Sequence, residues 1–193
     1  MRVELARCVG TKIAQSVPLE PHWRALDYGA GTGLLTLCLQ PLVSSILAVD
    51  SSVGMLETLS HKLTSAGLGN VSICHWDLER QPLKETGFDL VVSSMTLHHL
   101  RDVPLVFNRL VEVLKPGGWL AVADLDVEDG SFHGASKDVF HCGFDRQRIT
   151  EWLIAAGLQG VSIGDAHTIT KPDSTGQLRS YQVFLATGQK RVG

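Results

Sequence analysis

The hydrophobic residues of the chain follow two alternating spacings, which predict repeated strand–helix units. Short apolar runs rich in Val, Leu and Ala indicate buried strands, whereas apolar residues three and four apart indicate helices that cover a sheet. Strands separated by helices pair in parallel, so the pattern predicts a doubly wound, three-layer α/β fold. The predicted helices span 3–15, 34–39, 53–65, 103–114 and 144–156, and the predicted strands span 23–28, 45–49, 71–76, 88–93 and 119–125.

The last two apolar runs, 161–170 and 179–187, are connected differently. The sequence between them, Lys-Pro-Asp-Ser-Thr-Gly, has the composition of a turn and leaves no room for a helix. It predicts an antiparallel hairpin at the edge of the sheet. The expected fold class is therefore a mostly parallel seven-stranded α/β sheet with an antiparallel C-terminal edge hairpin.

The length and composition indicate one ordinary globular domain. A chain of 193 residues is long enough for one core, so we expect a single domain over 1–193, with 1–20 as an N-terminal helix and linker. The formal net charge is -3, and the basic residues are scattered along the chain. Proteins that bind nucleic acids usually carry clustered Lys and Arg, so no nucleic-acid partner is expected.

The cysteines and the absence of a long apolar run indicate a reducing compartment. Cys8, Cys38, Cys74 and Cys142 are far apart and form no Cys-x-x-Cys pair, which predicts neither a zinc site nor a disulfide framework. No apolar run approaches the ~20 residues that cross a bilayer. We expect no metal, no membrane contact and a cytoplasmic location.

A glycine-rich turn carries the most specific chemical signal. In Leu-Asp-Tyr-Gly-Ala-Gly-Thr-Gly, residues 26–33, a predicted strand runs into glycines and then into a helix. Glycines let the backbone approach a ligand closely, and the N–H groups at a helix start favour electronegative groups. Asp50 closes the next predicted strand, where a carboxylate can accept hydrogen bonds from both ribose hydroxyls. The two features together predict a crevice that binds a nucleoside.

Two alternatives to this interpretation stay open at this point. A glycine turn also occurs where a strand and a helix merely pack closely, and Asp27 could simply brace that turn. A dinucleotide would occupy the same crevice, but its fingerprint has a third glycine where Leu34 stands. No Tyr-x-x-x-Lys pair suited to hydride chemistry is present either, which disfavours an NAD-dependent oxidoreductase.

The chain resembles the class I, seven-stranded S-adenosylmethionine-dependent methyltransferases from about residue 23 to its C-terminus. The resemblance implies a methyltransferase that uses S-adenosylmethionine and releases S-adenosylhomocysteine. Several motifs carry it in the family's order, namely LDYGAGTG, AVDSSVGMLE, CHWDL, FDLVVSSMTLHHL and LKPGGWLAVAD.

The resemblance also implies which residues hold the cofactor. The glycine turn would face the methionyl and ribose parts, Asp27 the methionyl amino group and Asp50 the ribose hydroxyls. Met55 would lie near the adenine face, and Asp77 with Leu78 at its amino edge. The implied set is Asp27, Gly29, Ala30, Gly31, Gly33, Asp50, Ser51, Met55, Asp77, Leu78, Ser93 and Ser94.

Histidines are the candidate catalytic residues, because a methyl acceptor that still holds a proton needs a base. His98 and His99 follow the fourth predicted strand, and His133 and His141 lie in the irregular segment after the fifth. His98, His99 and His141 are the predicted catalytic residues, although a packing or surface role is the alternative for each.

A small molecule is the expected methyl acceptor, because no inserted domain is present to hold a large one. A protein acceptor, a protein partner, a homodimer and a non-catalytic cofactor-binding subunit remain as alternatives.

Overall fold

The computed structural model describes residues 1–134, 138–173 and 176–192. The strands are β1 (Arg24–Tyr28), β2 (Ser45–Asp50), β3 (Val71–His75), β4 (Phe88–Ser94), β5 (Leu114–Leu125), β6 (Leu158–Pro172) and β7 (Leu178–Lys190). The helices are α1 (Arg2–Ser16), α2 (Leu34–Leu39), α3 (Val53–Ala66), α4 (Val103–Val113) and α5 (Arg146–Ala155). Short 3₁₀ turns lie at Gln40–Leu42 and Leu97–His99.

The described strands form one seven-stranded sheet in the order β3-β2-β1-β4-β5-β7-β6. The first five strands pair in parallel, and β7 pairs antiparallel with both β5 and β6. This confirms the predicted sheet and its C-terminal hairpin. Ser174 and Thr175, in the predicted hairpin turn, lie outside the described residues.

The helices cover both faces of the sheet, as predicted for a three-layer fold. The apolar sides of α1 and α2 pack with alternate residues of the central strands, including Ile46, Leu90 and Ala121. The α3 helix packs on the same face through Leu56, Leu59 and Leu63. The intervening strand residues point the other way and pack against α4 and α5. Strands buried on both faces explain the continuous apolar runs in the sequence.

Several element boundaries differ from the prediction, and the start of β5 differs most. The α5 helix begins at Arg146 rather than near Phe144, because the Asp145 carboxylate accepts the Arg148 N–H and caps the helix start. Strand β5 begins at Leu114 rather than Trp119, and it includes Pro116 and two glycines.

The parallel strands end at a common edge of the sheet, where ligands bind in open α/β folds. The glycine turn after β1, Asp50 at the end of β2 and the histidines after β4 and β5 all come to this edge. In the parts of the chain described above, no helix is long and apolar enough to cross a membrane.

Candidate active site

The glycine turn connects β1 to α2 through backbone conformations that favour glycine. Gly29, Gly31 and Gly33 have φ values of 70°, 54° and 79°. An added Cβ at Gly29 would lie 2.2 Å from the Thr96 Oγ1, whereas one at Gly31 would meet nothing within 4 Å. The turn is therefore packed tightly on one side and open on the other. The open side is the cradle that a ligand can approach.

Asp50 holds the outer part of this turn. Its Oδ2 accepts the Gly31 N–H at 2.8 Å, and its Oδ1 accepts the Ser52 N–H at 2.8 Å. Each carboxylate oxygen has a second lone pair, so both can still accept a hydrogen bond from a ligand. Asp50 thus has a structural role in the turn, and the acceptor role that the sequence predicts stays a prediction.

Asp27 lies beneath the turn and is only 1% exposed. The Thr36 hydroxyl of α2 donates to its Oδ2 at 2.5 Å. Burial, together with the charge of Asp50, raises the pKa of Asp27 to about 7, although the Thr36 hydrogen bond opposes the shift. The carboxyl group therefore changes charge near neutral pH, which makes it sensitive to a cationic group placed beside it.

The predicted adenine side of the crevice lies along the start of α3 and the end of β3. Met55 is 44% exposed in the first turn of α3, and the carbonyl of Ser51 is held by the His75 Nε2–H at 3.0 Å. Asp77 accepts the Glu79 N–H at 2.8 Å and pairs with Arg80 at 3.1 Å. These side chains present one apolar surface and one carboxylate, which suits a purine plane and its amino group.

Leu78 and Ser93, like Asp27, are predicted cofactor residues whose side chains are interior. Leu78 is wholly buried in the core, and its carbonyl accepts a hydrogen bond from Arg109. Ser93 is 1% exposed and donates its hydroxyl to the Tyr28 carbonyl at 2.8 Å. The structure does not bring these two side chains to the crevice surface. Ser94, the last residue of β4, is partly exposed.

A strained turn follows β4, packs against the glycine turn and leads to the histidines. Met95 follows β4 with a φ of 56°, a conformation that costs free energy in a residue other than glycine. Its N–H donates to the Ala123 carbonyl of β5. The Thr96 hydroxyl lies against the Gly29 backbone, at 3.4 Å from the carbonyl oxygen. The turn therefore places the next residues, Leu97–His99, near the glycine turn.

Three of the four candidate histidines come together after this turn. We call His98, His99 and His133 the histidine cluster. The ring centroids are 4.2 Å apart for His98 and His99 and 4.3 Å apart for His98 and His133. The Nδ1–H of His98 donates to Asp124 Oδ1 at 2.7 Å, and both residues are buried. Because Asp124 accepts at Nδ1, the Nε2 of a neutral His98 carries no proton.

His133 and His99 complete the cluster in different ways. The Nε2 of His133 is buried and finds no hydrogen-bond partner within the described part of the chain. Burial, with His98 and His99 beside it, lowers the pKa of His133 to about 4. His99 is exposed, and its Nδ1–H donates to the Asp138 carbonyl at 2.5 Å.

Comparison with known proteins identifies this arrangement. Residues 26–122, which include the glycine turn, Asp50 and two of the clustered histidines, match the family described as the methyltransferase domain. The chain belongs to the class I S-adenosylmethionine-dependent methyltransferases.

A relative and two solved structures illustrate the match. This methyltransferase is 33% identical over 187 residues to an uncharacterized methyltransferase of Schizosaccharomyces pombe, covering 86% of this chain and 66% of that protein. Its fold is similar to that of the YcgJ protein from Bacillus subtilis, with a TM-score of 0.79, 19% identity and coverage of 96% and 99%.

The second structure is phosphoethanolamine N-methyltransferase 2 of Haemonchus contortus in complex with S-adenosyl-L-methionine. Its TM-score to this methyltransferase is 0.74, with 16% identity, 94% of this chain covered and 52% of the other. These two likenesses show the fold.

His141, the remaining predicted catalytic residue of this methyltransferase, lies in a separate set of contacts. Its Nε2–H donates to the Leu100 carbonyl at 2.9 Å, and its ring packs against Phe144 at 5.0 Å. The backbone N–H of His141 points to the His98 carbonyl at 3.4 Å. These contacts hold the segment after β5 against the turn before α4. His141 therefore has a structural role.

Sequence reasoning gave no role to Asp124, Thr36 or Thr96 of the methyltransferase. Asp124 is the next-to-last residue of β5, and its partner His98 is 26 positions away. Thr36 contacts Asp27 across a gap of 9 positions, and Thr96 contacts Gly29 across a gap of 67. One local signal existed for Asp124, because a charged residue within an apolar run needs a partner.

Proposed function

We propose that this chain transfers a methyl group from S-adenosylmethionine to a small-molecule acceptor. The observation that carries the proposal is the pairing of an open glycine cradle with the Asp50 carboxylate at the end of the neighbouring strand. The histidine cluster, reached through Met95 and Thr96, lies at the same edge of the sheet and supports an acceptor site there.

The residues at the crevice fit the cofactor chemically. A ribose presents two hydroxyl donors, which match the free lone pairs on the two Asp50 oxygens. An ammonium group matches the buried carboxyl of Asp27, since a nearby cation favours the ionised form and opposes the effect of burial. The exposed Met55 side chain offers an apolar surface for a purine.

The cofactor supplies an electrophilic methyl group on a sulfonium. The remaining work of the protein is to orient the acceptor behind that methyl group and to exclude water. Well-oriented reactants gain about 7–11 kcal/mol through proximity, so positioning alone accounts for much of the rate. The segments after β4 and β5 form the wall that positions the acceptor in this proposal.

The cofactor assignment is tested by calorimetry with S-adenosylmethionine, S-adenosylhomocysteine and NAD. We expect the two adenosyl ligands to bind and NAD not to bind. Asp50→Ala should weaken binding of S-adenosylhomocysteine by about 1.5–3 kcal/mol, because charge-assisted hydrogen bonds to the ribose are lost.

Asp145→Ala is the matched control. Asp145 accepts the backbone N–H of Arg148, much as Asp50 accepts that of Ser52. It caps α5, away from the glycine turn. This variant should lose about 1 kcal/mol of stability and keep its affinity for S-adenosylhomocysteine. Unchanged affinity in a folded Asp50→Ala protein, or binding of NAD alone, would refute the cofactor assignment.

A further inference from the structure

The histidine cluster contains a polar atom that has no partner among the residues that the structure describes. This atom is the Nε2 of His133, which is buried. A buried polar atom in this state is unfavourable, and it recovers free energy when a ligand supplies a partner. Its position in the segment after β5, against His98, points to the acceptor as that ligand.

The groups behind His133 are arranged to hold a proton acceptor in place. His98 stacks on His133 and is itself fixed by Asp124, which also accepts the Leu125 N–H at 2.8 Å. The Phe132 ring also lies 4.7 Å from the His133 ring. His133 is therefore packed against two rings, as expected of a side chain that must meet a substrate at a defined angle.

The charges that face His133 favour some acceptors over others. His98 and His99 are adjacent, the ammonium of Lys171 lies over the Phe132 ring at 3.9 Å, and Asp124 is covered by His98. Glu128, earlier in the same segment, accepts the Phe132 N–H with one oxygen, and its other oxygen is buried without a partner among the described residues. Besides burial, His98, His99 and Lys171 lower the pKa of His133, whereas Asp124, which His98 holds, raises it. A protonated amine would be repelled there, whereas a hydroxyl that develops negative charge would be stabilised.

We propose that the methyl acceptor is a small molecule with an acidic hydroxyl group, a phenol or an enol, and that His133 Nε2 accepts its proton. The proton moves from the hydroxyl oxygen to His133 Nε2, and an oxygen lone pair forms the new bond to the methyl carbon. The electron pair of the broken carbon–sulfur bond stays on sulfur. His98 and Asp124 are positioning residues. This inference rests on the proposed function.

The lowered pKa of His133 agrees with this role. A pKa of about 4 leaves the His133 imidazole neutral at pH 7, so that one ring nitrogen is free to accept a proton. A negative charge that develops on a neighbouring oxygen raises the pKa of an imidazole, so the ring becomes a stronger base as transfer begins.

The element that receives the methyl group can be identified without knowing the acceptor molecule. The protein is incubated with cofactor carrying a ¹³C-labelled methyl group and with a filtered small-molecule extract of cells, and the carbon chemical shifts of new methyl signals are recorded. We expect signals of methyl groups on oxygen. Signals only of methyl groups on nitrogen, sulfur or carbon would overturn the inference and leave the proposed function standing. No labelled product from a protein that binds S-adenosylhomocysteine would count against both.

His133→Gln tests the residue itself. We expect kcat to fall about 100-fold or more toward the product found above, as for loss of a general base, with the Kd for S-adenosylhomocysteine unchanged. His22→Gln is the control, because His22 is exposed in the turn before β1, at the opposite edge of the sheet. The His22→Gln variant should keep both the kcat and the Kd for S-adenosylhomocysteine. His133→Asn serves if the glutamine variant does not fold.

A readout that does not depend on turnover is the ¹⁵N NMR titration of the histidine rings in the ligand-free protein. We expect the His133 ring to be neutral at pH 6 and to become protonated only below about pH 5. A His133 ring that is protonated at pH 6, or a His133→Gln variant with full kcat, would overturn the assignment.

Discussion

Asp27 shows how one buried carboxyl group connects the stability of this chain to its chemistry. Its pKa rises from 3.8 to about 7 on folding, chiefly because burial disfavours the charged form. The folded state therefore holds a proton that the unfolded state has already lost between these pH values. The contribution of Asp27 to the free energy of unfolding is greatest below about pH 4 and is lost as pH rises to about 7.

Asp27→Asn removes this pH dependence, since the amide stays neutral and can still accept from Thr36. We expect the variant to exceed the original chain in stability at pH 8 by on the order of 2–4 kcal/mol and to differ little at pH 4. Urea unfolding at the two pH values measures the difference.

Asp89→Asn provides a control with the opposite sign. Although partial burial raises the pKa of Asp89, hydrogen bonds from Arg24 and Lys115 lower it overall. The charged form therefore stabilises the fold, and the variant should lose stability at pH 8. If Asp27→Asn lost stability at pH 8 as well, the account of Asp27 would be wrong.

The residues of the site differ in how well the sequence could predict them. The glycines form a local pattern, Asp50 ends the next strand at the spacing that a nucleoside crevice requires, and the structure places them together. The hydrogen bond between His98 and Asp124 joins residues 26 positions apart, so only the pairing of β4 with β5 brings them together. The burial of Leu78 and Ser93 likewise depends on tertiary packing, which a motif does not describe.

At the scale of elements, the turn between β1 and α2 can be tested with two glycines that differ in their surroundings. Both Gly29 and Gly31 have positive φ, so alanine at either position pays a conformational cost of about 1–2 kcal/mol. Only at Gly29 would the new Cβ collide with Thr96.

Gly29→Ala should therefore lose about 1–3 kcal/mol more stability than Gly31→Ala, because overpacking adds to the backbone strain. Thermal and urea denaturation of the two variants measure the difference. Gly29→Ala combined with Thr96→Gly should recover part of the loss. Equal stability of the two single variants would show that Thr96 does not pack on the turn.

The elements themselves were predicted best where the hydrophobic period and the end signals agree. Helix α2 spans its predicted residues, and α3 ends at Gly67, which has a φ of 64°. Strand β5 was predicted too short, because Pro116 and its two glycines are typical of a turn. The pairing of Leu114 with Phe88 extends the strand through these residues, and Lys115 reaches Asp89. Long-range pairing outweighs local propensity there.

At the scale of the whole molecule, α1 connects the first and last parts of the chain. Val9 and Ile13 are fully buried in the same cluster as Ile169, Tyr181 and Leu185 of the C-terminal hairpin. The helix also packs closely on α2, where Gly10 approaches Cys38. We propose that α1 belongs to the same cooperative unit as the sheet.

Ile13→Ala tests this proposal, because removing a fully buried side chain costs about 2–5 kcal/mol. Val3→Ala is the control, since Val3 lies on the same helix and is 68% exposed, and it should change stability by less than about 0.5 kcal/mol. Far-ultraviolet circular dichroism and tryptophan fluorescence follow unfolding in urea.

Replacing Trp23, Trp76 and Trp119 with Phe makes the fluorescence signal specific, because the remaining Trp152 packs against Phe107 and Phe144 on the opposite face of the sheet from α1. If α1 and the sheet unfold together, loss of Ile13 must lower the transition midpoint by the same amount in both signals. If α1 were an independent arm, the variant would lose helical signal early while the fluorescence midpoint stayed in place. The first result is expected, since the contacts of Ile13 lie in the strands that complete the sheet.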